Sequence, residues 1–263
     1  MPLEWDAAEY EAVSGPQTGW GADFLGIFLE RRGLRGDEAT IDVGCGTGRV
    51  TELLLRHLPW GTVLAVDISE DMAEAARRRF VGEPRVRVEW RDILRLEVEE
   101  SVDVIFSTAT FHWIMDHERL FNHLARLLKP GGQLVAQCGG SGNIARTLVV
   151  AERVMGEDRF KDAFAGWEDG WNFVDPETTK ARLEAAGFEE VEIWLHEAFT
   201  EFASVSELTR FLKTVVLKHH LTFLPEAERD SFAVAVADGL AEEGSLEVDY
   251  VRLNMLATRS GTA

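Results

Sequence analysis

Short runs of β-branched and apolar residues alternate with longer segments of helical spacing through the first half of the chain. Five runs have the length and composition of strands: TIDVGC (40–45), TVLAVD (62–67), RVRVEW (85–90), VDVIFS (102–107) and GQLVAQC (132–138). Helical spacing occupies segments between them, including 48–58, 69–81 and 116–128. Strands joined by helices need crossover connections, so this pattern predicts a parallel sheet with helices on both faces.

The ends of two of these helices carry recognisable signals. Ser69 precedes Glu70 and Asp71, a good N-cap followed by charges that suit the helix dipole. The helix over 116–128 is expected to end at Lys129, before the Pro-Gly-Gly of residues 130–132, because proline stops a helix and glycines turn the chain.

The pattern changes after Cys138. A flexible turn at 139–143 leads to an amphipathic stretch at about 144–155 and to the aromatic segment FAGWEDGWNF (164–173), whose weak periodicity indicates a loop or lid. Further elements are then predicted in this order: a helix over 176–186, a strand over 188–199, helices over about 204–220 and 225–243, and a last strand over 246–257.

This order of elements predicts an α/β fold with a doubly wound, mostly parallel, seven-stranded Rossmann-like sheet and helical cap insertions after strands five and six. We expect one domain over residues 1–263. Within it, residues 1–35 would form an N-terminal lid and the first helix, 36–140 the ligand-binding core, and 141–175 with 198–248 the cap that meets the substrate.

Composition and charge narrow the classes of partner. The 46 acidic and 27 basic residues give a net charge of −19, which would repel a nucleic-acid backbone and an anionic membrane surface. No run of about 18 apolar residues could span a bilayer. The first residues, MPLEWDAAEYEAV, lack the basic start and apolar core of a signal peptide, so a cytoplasmic protein is expected.

The cysteine and histidine content argues against a metal or disulfide framework. Cys45 and Cys138 are the only cysteines, and both are expected to be buried free thiols. No group of His, Asp and Glu residues has a spacing comparable to H-E-x-x-H, so no catalytic metal is expected.

The strongest chemical signal is the run Asp42-Val43-Gly44-Cys45-Gly46-Thr47-Gly48, between the first strand and the next helix. Glycines allow a sharp turn and a close approach of the backbone to a ligand, and the N–H groups of the helix start face that ligand. A G-x-G-x-x-G dinucleotide motif is excluded because Arg49 stands where its last glycine would be, and no P-loop motif is present. These features favour a nucleotide-like ligand other than NAD.

Asp67 ends the second strand, where a carboxylate accepts hydrogen bonds from both hydroxyls of a ribose. With the glycine turn, an Asp after strand three and the PGG before strand five, residues 37–138 resemble a class I S-adenosylmethionine (SAM)-dependent methyltransferase. The resemblance implies SAM as the cofactor.

The resemblance also implies roles for individual residues. Gly44 and Gly46, in the same turn as Cys45, would let the backbone meet the methionine part of SAM, and Asp42 would act on its amino group. The remaining members of the implied cofactor site are Asp67 for the ribose, Ile68 and Ile93 against the adenine, Asp92 for the exocyclic amine, Ser107 for the ammonium group, and Gln17 or Trp20 for the carboxylate or sulfonium.

A finer resemblance begins after strand four, where His112, Trp113 and Asp116 form an H-W-x-x-D element. It is similar to the subgroup of trans-aconitate and malonyl-carrier-protein methyltransferases, which implies a small-molecule substrate and O-methylation of a carboxylate. A phenol or alcohol acceptor, a SAM-binding protein without turnover and a nucleotide-dependent oxidoreductase are the alternatives, the last opposed by the glycine spacing. The protein is expected to be a monomer or a homodimer.

His112 is the residue to test as a general base, since a phenol or alcohol would need one and an ionised carboxylate would not. Trp113, Trp167 and Trp171 are the aromatic residues expected to contact the substrate and exclude water.

Other polar residues receive structural assignments. His117 is expected at the surface, and His219 and His220 at the end of a helix, where cations complement the helix dipole. Arg146, Arg153 and Arg159 lie in the expected cap, either on a solvated face or facing an anionic substrate.

Overall fold

Seven strands form one sheet at the centre of the computed structural model, which describes residues 5–261. The sheet strands are β1 (Ala39–Val43), β2 (Thr62–Asp67), β3 (Val86–Trp90), β4 (Val102–Thr108), β5 (Leu128–Gly139), β6 (Phe188–Glu197) and β9 (Val251–Arg259), while β7 (Thr200–Glu201) and β8 (Glu247–Val248) pair separately. Their order across the sheet is β3-β2-β1-β4-β5-β9-β6.

The pairing directions confirm the predicted α/β class with a mostly parallel sheet. Strands β1 to β5 pair in parallel, and β9 lies antiparallel between β5 and β6. The strand order reverses between β1 and β4, which is the position where open α/β sheets bind ligands at the carboxyl ends of their strands.

Ten α-helices surround the sheet in the described part of the chain. They are α1 (Ala7–Val13), α2 (Gly15–Arg31), α3 (Arg49–Leu55), α4 (Glu70–Arg79), α5 (His117–Leu127), α6 (Ala145–Met155), α7 (Pro176–Ala185), α8 (Val205–Phe211), α9 (Lys218–Phe223) and α10 (Glu226–Glu242). Helical segments follow β5 and β6, as predicted. The predicted cap of α4 is also observed, with Oγ of Ser69 accepting a hydrogen bond from the Met72 N–H.

Both faces of the sheet are covered, as the continuous apolar strands require. Ile105 of β4 packs in one core with Phe121 of α5. Its neighbours Val104 and Phe106 point to the opposite face and pack in another core with Phe24 of α2.

A further apolar core holds the cap together, built from α6, α8, α10 and the aromatic segment before α7. Residues 164–173 form turns and irregular backbone, as predicted from their weak periodicity. Phe164 and Trp171 are nevertheless 7% exposed each, so this segment is packed and not a free loop.

The helix predicted over 204–220 is interrupted. A π-helical segment, Leu212–Val216, follows α8, and α9 begins at Lys218. His219 and His220 therefore lie in α9, a helix of six residues whose last turn includes His220. His220 is 1% exposed, and burial lowers its pKa to about 3, so it does not complement the helix dipole as the predicted cation. The shift in hydrogen bonding at the π segment has no signature in the apolar spacing.

Two predicted boundaries also differ from the structure. Within residues 1–35, the lid expected ahead of the first helix is itself largely helical, since α1 covers Ala7–Val13 and α2 begins at Gly15 with Pro16 in its first turn. Helix α5 ends at Leu127, before Lys129, because Leu128 is fully buried and pairs with Val102 in the sheet. The Pro-Gly-Gly residues then bulge within β5.

Candidate active site

The turn after β1 is held against the end of β2 by backbone hydrogen bonds. The N–H groups of Gly44 and Cys45 donate to the carbonyl of Val66 over 2.8 and 3.1 Å. Gly44 and Gly46 have φ angles of +71° and +56°, which favour glycine. A Cβ at Gly44 would overlap the Thr110 side chain, whereas a Cβ at Gly46 would meet no atom within 4 Å. The backbone of Gly46 is thus open to a ligand.

Asp67 at the end of β2 is fixed by the same turn. Its Oδ2 accepts from the Gly46 N–H and its Oδ1 from the Ser69 N–H, both over 2.8 Å. Burial raises the pKa of this carboxyl above its ordinary value, and the N–H donors oppose the rise. The carboxylate is therefore oriented before any ligand arrives.

These groups face a cavity of about 990 Å³ between the carboxyl edge of the sheet, α1 and the cap. Its volume is at the upper end of the range of about 300–1,000 Å³ for small-molecule sites. The cavity brings together most residues that the sequence assigned to cofactor or substrate: Gln17, Trp20, Gly44, Gly46, Asp67, Ile68, Asp92, Ile93, His112, Trp113 and Trp171.

Four other assigned residues lie behind the cavity wall. Asp42 accepts a hydrogen bond from the Thr51 hydroxyl over 2.5 Å, and burial raises its pKa to about 7. Cys45 is a buried free thiol, and the Ser107 hydroxyl donates to the Val43 carbonyl over 2.8 Å. Trp167 stacks on a histidine of α9 in the cap, with 4.5 Å between ring centroids. These four side chains support the turn and the cap.

Arg252 on β9 is a lining residue that the sequence analysis missed. Its side chain is 2% exposed, and its Nε and Nη2 have no hydrogen-bond partner. Its guanidinium carbon lies 5.0 Å from the ring centroid of Trp20 and 6.0 Å from that of Tyr250. Burial lowers its pKa, although arginine stays charged near neutral pH. The sequence gives one signal for this residue, namely an arginine inside an apolar strand, because arginine is rarely buried without a partner.

His112 lines the same region of the cavity in a defined tautomer. Its Nδ1 accepts a hydrogen bond from the Gly139 N–H over 3.2 Å, so the neutral ring carries its proton on Nε2. Gly139 pairs with Arg252 in the β5–β9 register. Burial, followed by the charge of Arg252, lowers the pKa of His112 well below its ordinary value. The ring is thus a neutral hydrogen-bond donor.

The remaining histidine and arginine predictions are settled by packing. His117 was expected at the surface, but it is 2% exposed because its Nε2 bonds the Phe111 carbonyl over 2.9 Å. The three cap arginines bind protein groups outside the cavity: Arg146 pairs with Glu247, Arg153 with Glu243, and Arg159 donates to Ser231.

Comparison with known proteins agrees with this geometry. The family described as "Methyltransferase domain" matches residues 41–136, from β1 into β5. Trans-aconitate 2-methyltransferase of Sinorhizobium medicae (strain WSM419) is 28% identical over 265 residues, covering 98% of this chain and 100% of that protein. The chain is a class I SAM-dependent methyltransferase.

A second relative of this methyltransferase matches only part of it. Malonyl-[acyl-carrier protein] O-methyltransferase 1 of Ilyobacter polytropus is 37% identical over 120 residues, which cover 46% of this chain and 44% of that protein. The methyltransferase therefore resembles the subgroup indicated by its H-W-x-x-D element, and its cofactor is SAM.

Solved structures show the same fold. Phosphoethanolamine N-methyltransferase 2 of Haemonchus contortus, solved with S-adenosyl-L-methionine, has a TM-score of 0.61 at 19% identity and covers 97% of this chain and 56% of that one. The YcgJ protein of Bacillus subtilis has a TM-score of 0.63 at 14% identity, covering 90% and 98%. At such identities the likeness concerns the fold of the methyltransferase alone.

None of the helices in residues 5–261 is long and apolar enough to cross a membrane. The same residues contain no group of three or more His, Cys, Asp or Glu side chains arranged to hold a metal ion.

Proposed function

We propose that this methyltransferase transfers its methyl group to a carboxylate oxygen of a small-molecule acid bound by Arg252. The supporting observation is the burial of Arg252 without a counterion: no carboxylate of the described residues lies within ion-pair distance, in a chain with a net charge of −19. A buried unpaired charge costs several kcal/mol, which an anionic ligand offsets. The names of the two relatives, trans-aconitate and malonyl methyltransferases, refer to carboxylic acids.

The position of Arg252 favours the acceptor over the carboxylate of the cofactor. Three steps across the sheet, from β1 to β4, β5 and β9, separate the glycine turn from Arg252. At about 4.8 Å per strand these steps span about 14 Å. In the proposed arrangement the cofactor lies over β1 and β2, and the acceptor lies over β5 and β9.

The residues around the turn fit the cofactor. Asp67, whose oxygens are fixed by two N–H groups, would hold the ribose hydroxyls, and Ile68, a 44% exposed apolar side chain on the cavity wall, would cover the adenine. Asp92 and Ile93 line the adenine end, and the open backbone of Gly46 would meet the methionine part.

Residues behind the wall would act indirectly on the same site. Asp42, Cys45 and Ser107 would hold the turn in shape, and Gln17 with Trp20 of α2 would close the sulfonium end of the cavity. Within the single domain, residues 1–35, 36–140 and the segments 141–175 and 198–248 would then serve as lid, cofactor core and substrate cap.

Bound SAM supplies an electrophilic methyl group on a positively charged sulfur. Transfer to a carboxylate forms an ester C–O bond, breaks the S–C bond and releases no proton, because the acid is already ionised at pH 7. The protein's task is to exclude water and to hold the oxygen in line, about 3 Å from the methyl carbon. Arg252 and the Nε2–H of His112 would orient that oxygen, and no general base is needed.

The test compares Arg252→Met and Arg252→Lys with the wild type on a library of carboxylic acids, with methyl esters identified by mass spectrometry. Loss of a charged hydrogen-bond donor costs about 1.5–3 kcal/mol, so kcat/KM should fall about 10- to 150-fold in Arg252→Met. Lysine keeps the charge without the planar fork and should give an intermediate loss. Affinity for S-adenosylhomocysteine, measured by calorimetry, should stay unchanged.

Arg31→Met is the matched control, since Arg31 also stacks on an indole, that of Trp194 at 4.4 Å, but lies on the surface. It should retain wild-type turnover. Two results would contradict the proposal: methylation of phenols or alcohols in preference to acids, or a loss of S-adenosylhomocysteine binding in Arg252→Met that accounts for its whole defect.

A further inference from the structure

The cavity is lined by cations that differ in how far the protein already neutralises them. Arg91 lies 3.9 Å from a carboxylate oxygen of Glu89, and Lys213 lies 2.5 Å from one of Asp230. Both side chains are substantially exposed, so water also screens them.

Two further cations sit at the cap side with partners of their own. Nε of Arg229 donates to the Leu224 carbonyl over 3.2 Å. Nζ of Lys218 lies 5.7 Å from the ring centroid of Trp5, in the field of the acidic side chains at the start of α1. Arg252 is thus distinguished among the described lining cations by burial without any acidic or hydrogen-bonding partner.

The wall that leads away from this charge is aromatic. Phe173 lies 5.7 Å from His112, and Trp171 stacks on Phe173 at 5.8 Å, measured between ring centroids. Trp113 continues the path 6.2 Å from Trp171. Aliphatic and aromatic side chains complete the lining on the cap side: Ile144, Val215, Val216, Leu221 and Phe223.

We infer, on the basis of the carboxylate acceptor proposed above, that this acceptor is a monocarboxylic acid with an apolar alkyl or aromatic body. One buried cation neutralises one carboxylate, which binds Arg252. The body lies along the wall of Trp113, Trp171 and Phe173 and reaches the apolar cap-side lining that includes Phe223. A di- or tricarboxylate would bring further charges against indole and phenyl rings, and the described lining residues include no second buried cation to bind them, which costs more than the first charge gains. The acceptor of this chain would then differ from trans-aconitate, the acid for which one relative is named.

The decisive experiment measures kcat/KM for butanoate, octanoate, 4-phenylbutanoate, malonate and trans-aconitate with the wild-type enzyme. Each buried methylene is worth about 0.8 kcal/mol, or about fourfold, so octanoate should exceed butanoate at least tenfold. Octanoate and 4-phenylbutanoate should each exceed malonate and trans-aconitate at least tenfold. Calorimetric titration of the same acids into the enzyme loaded with S-adenosylhomocysteine should give the same ranking of affinities without turnover.

A variant tests where the apolar body lies. Phe223 lines the cavity and packs 5.2 Å from Trp167, so Phe223→Ala should lower the octanoate-to-butanoate ratio of kcat/KM at least threefold. Val234→Ala removes a 43% exposed side chain of α10 outside the cavity and should keep the wild-type ratio. Should Phe223→Ala fail to fold by circular dichroism, the wild-type acid series still decides.

The outcomes separate the two proposals. Preference for trans-aconitate or malonate over octanoate overturns the inference and leaves the carboxylate proposal standing. Preference for 1-octanol or 4-propylphenol over octanoate overturns both. Equal kcat/KM values for butanoate and octanoate, with no chain-length preference for Phe223→Ala to reduce, would overturn the inference of an apolar body and leave the carboxylate proposal standing.

Discussion

The backbone N–H of Gly139 donates to Nδ1 of His112 over 3.2 Å. Because Gly139 ends β5 within the sheet, this bond fixes the ring and leaves Nε2 as its protonated nitrogen. A base must have a free lone pair facing the substrate, and Nε2–H has none. The observation favours hydrogen bonding to an anionic acceptor over the general-base role raised by the sequence.

We expect His112→Phe to lower kcat/KM on a carboxylic acid about 10- to 150-fold, the effect of losing a hydrogen bond to a charged group. His112→Gln, which can place an amide N–H near the position of Nε2, should recover most of the activity. The wild-type pH profile should show no rise between pH 6 and 8, because the lowered pKa keeps the ring neutral throughout. A rise in that range that disappears in His112→Gln would identify a base instead.

Replacement of Asp67 tests the ribose assignment. Asp67→Ala removes an acceptor fixed by Gly46 and Ser69 and should weaken SAM binding by about 1–3 kcal/mol in a calorimetric titration. Asp71→Ala, at an exposed position of α4, is the control and should bind SAM as the wild type does. Unchanged affinity in Asp67→Ala would refute the role.

The glycine turn allows a paired experiment. Gly46 and Gly82 both have positive φ, +56° and +85°, and open space where a Cβ would stand. Alanine at either position should cost about 1–2 kcal/mol of stability for the left-handed backbone, as measured by urea unfolding. The Cβ of Gly46→Ala would enter the cavity, so only this variant should lose SAM affinity. Equal binding by both variants would mean that the turn does not contact the cofactor.

His220 predicts a pH dependence of stability. It is 1% exposed and packs on Trp167, and burial lowers its pKa to about 3. In the unfolded protein the His220 ring takes up a proton once the pH falls below its ordinary pKa of about 6.5, whereas in the folded protein the ring stays neutral. The free energy of unfolding therefore falls as the pH drops from about 6.5 toward 3. Between pH 7 and 5 His220 contributes a loss of about 2 kcal/mol.

The measurement is urea unfolding at both pH values. His220→Phe keeps an aromatic ring against Trp167 and should reduce the wild-type difference in unfolding free energy between pH 7 and 5 by about 2 kcal/mol. His57→Gln changes an exposed histidine and should preserve that difference. If His220→Phe left the difference in unfolding free energy between pH 7 and 5 unaltered, the His220 ring would have to be protonated in the folded wild-type protein.

Much of the proposed cofactor side could be read from the sequence because its signals are local. The glycine turn follows β1 directly and Asp67 ends β2, and parallel strands bring their carboxyl ends to one edge of the sheet. Neighbours in sequence therefore become neighbours in the site once the strand order is known. The sheet, its cap insertions and the irregular aromatic segment followed from periodicity for the same reason.

The proposed acceptor side depends on the tertiary structure. Arg252 and His112 are 140 positions apart in the chain, and their charge and tautomer depend on the groups that surround them. Arg252 lies against two aromatic rings, whereas His112 accepts a hydrogen bond from the Gly139 N–H. His117 was expected at the surface, and Arg146 either on a solvated face or facing an anionic substrate, yet His117 bonds the Phe111 carbonyl and Arg146 pairs with Glu247. Burial and partner choice arise from contacts between distant segments, so neither leaves a periodic trace in the sequence.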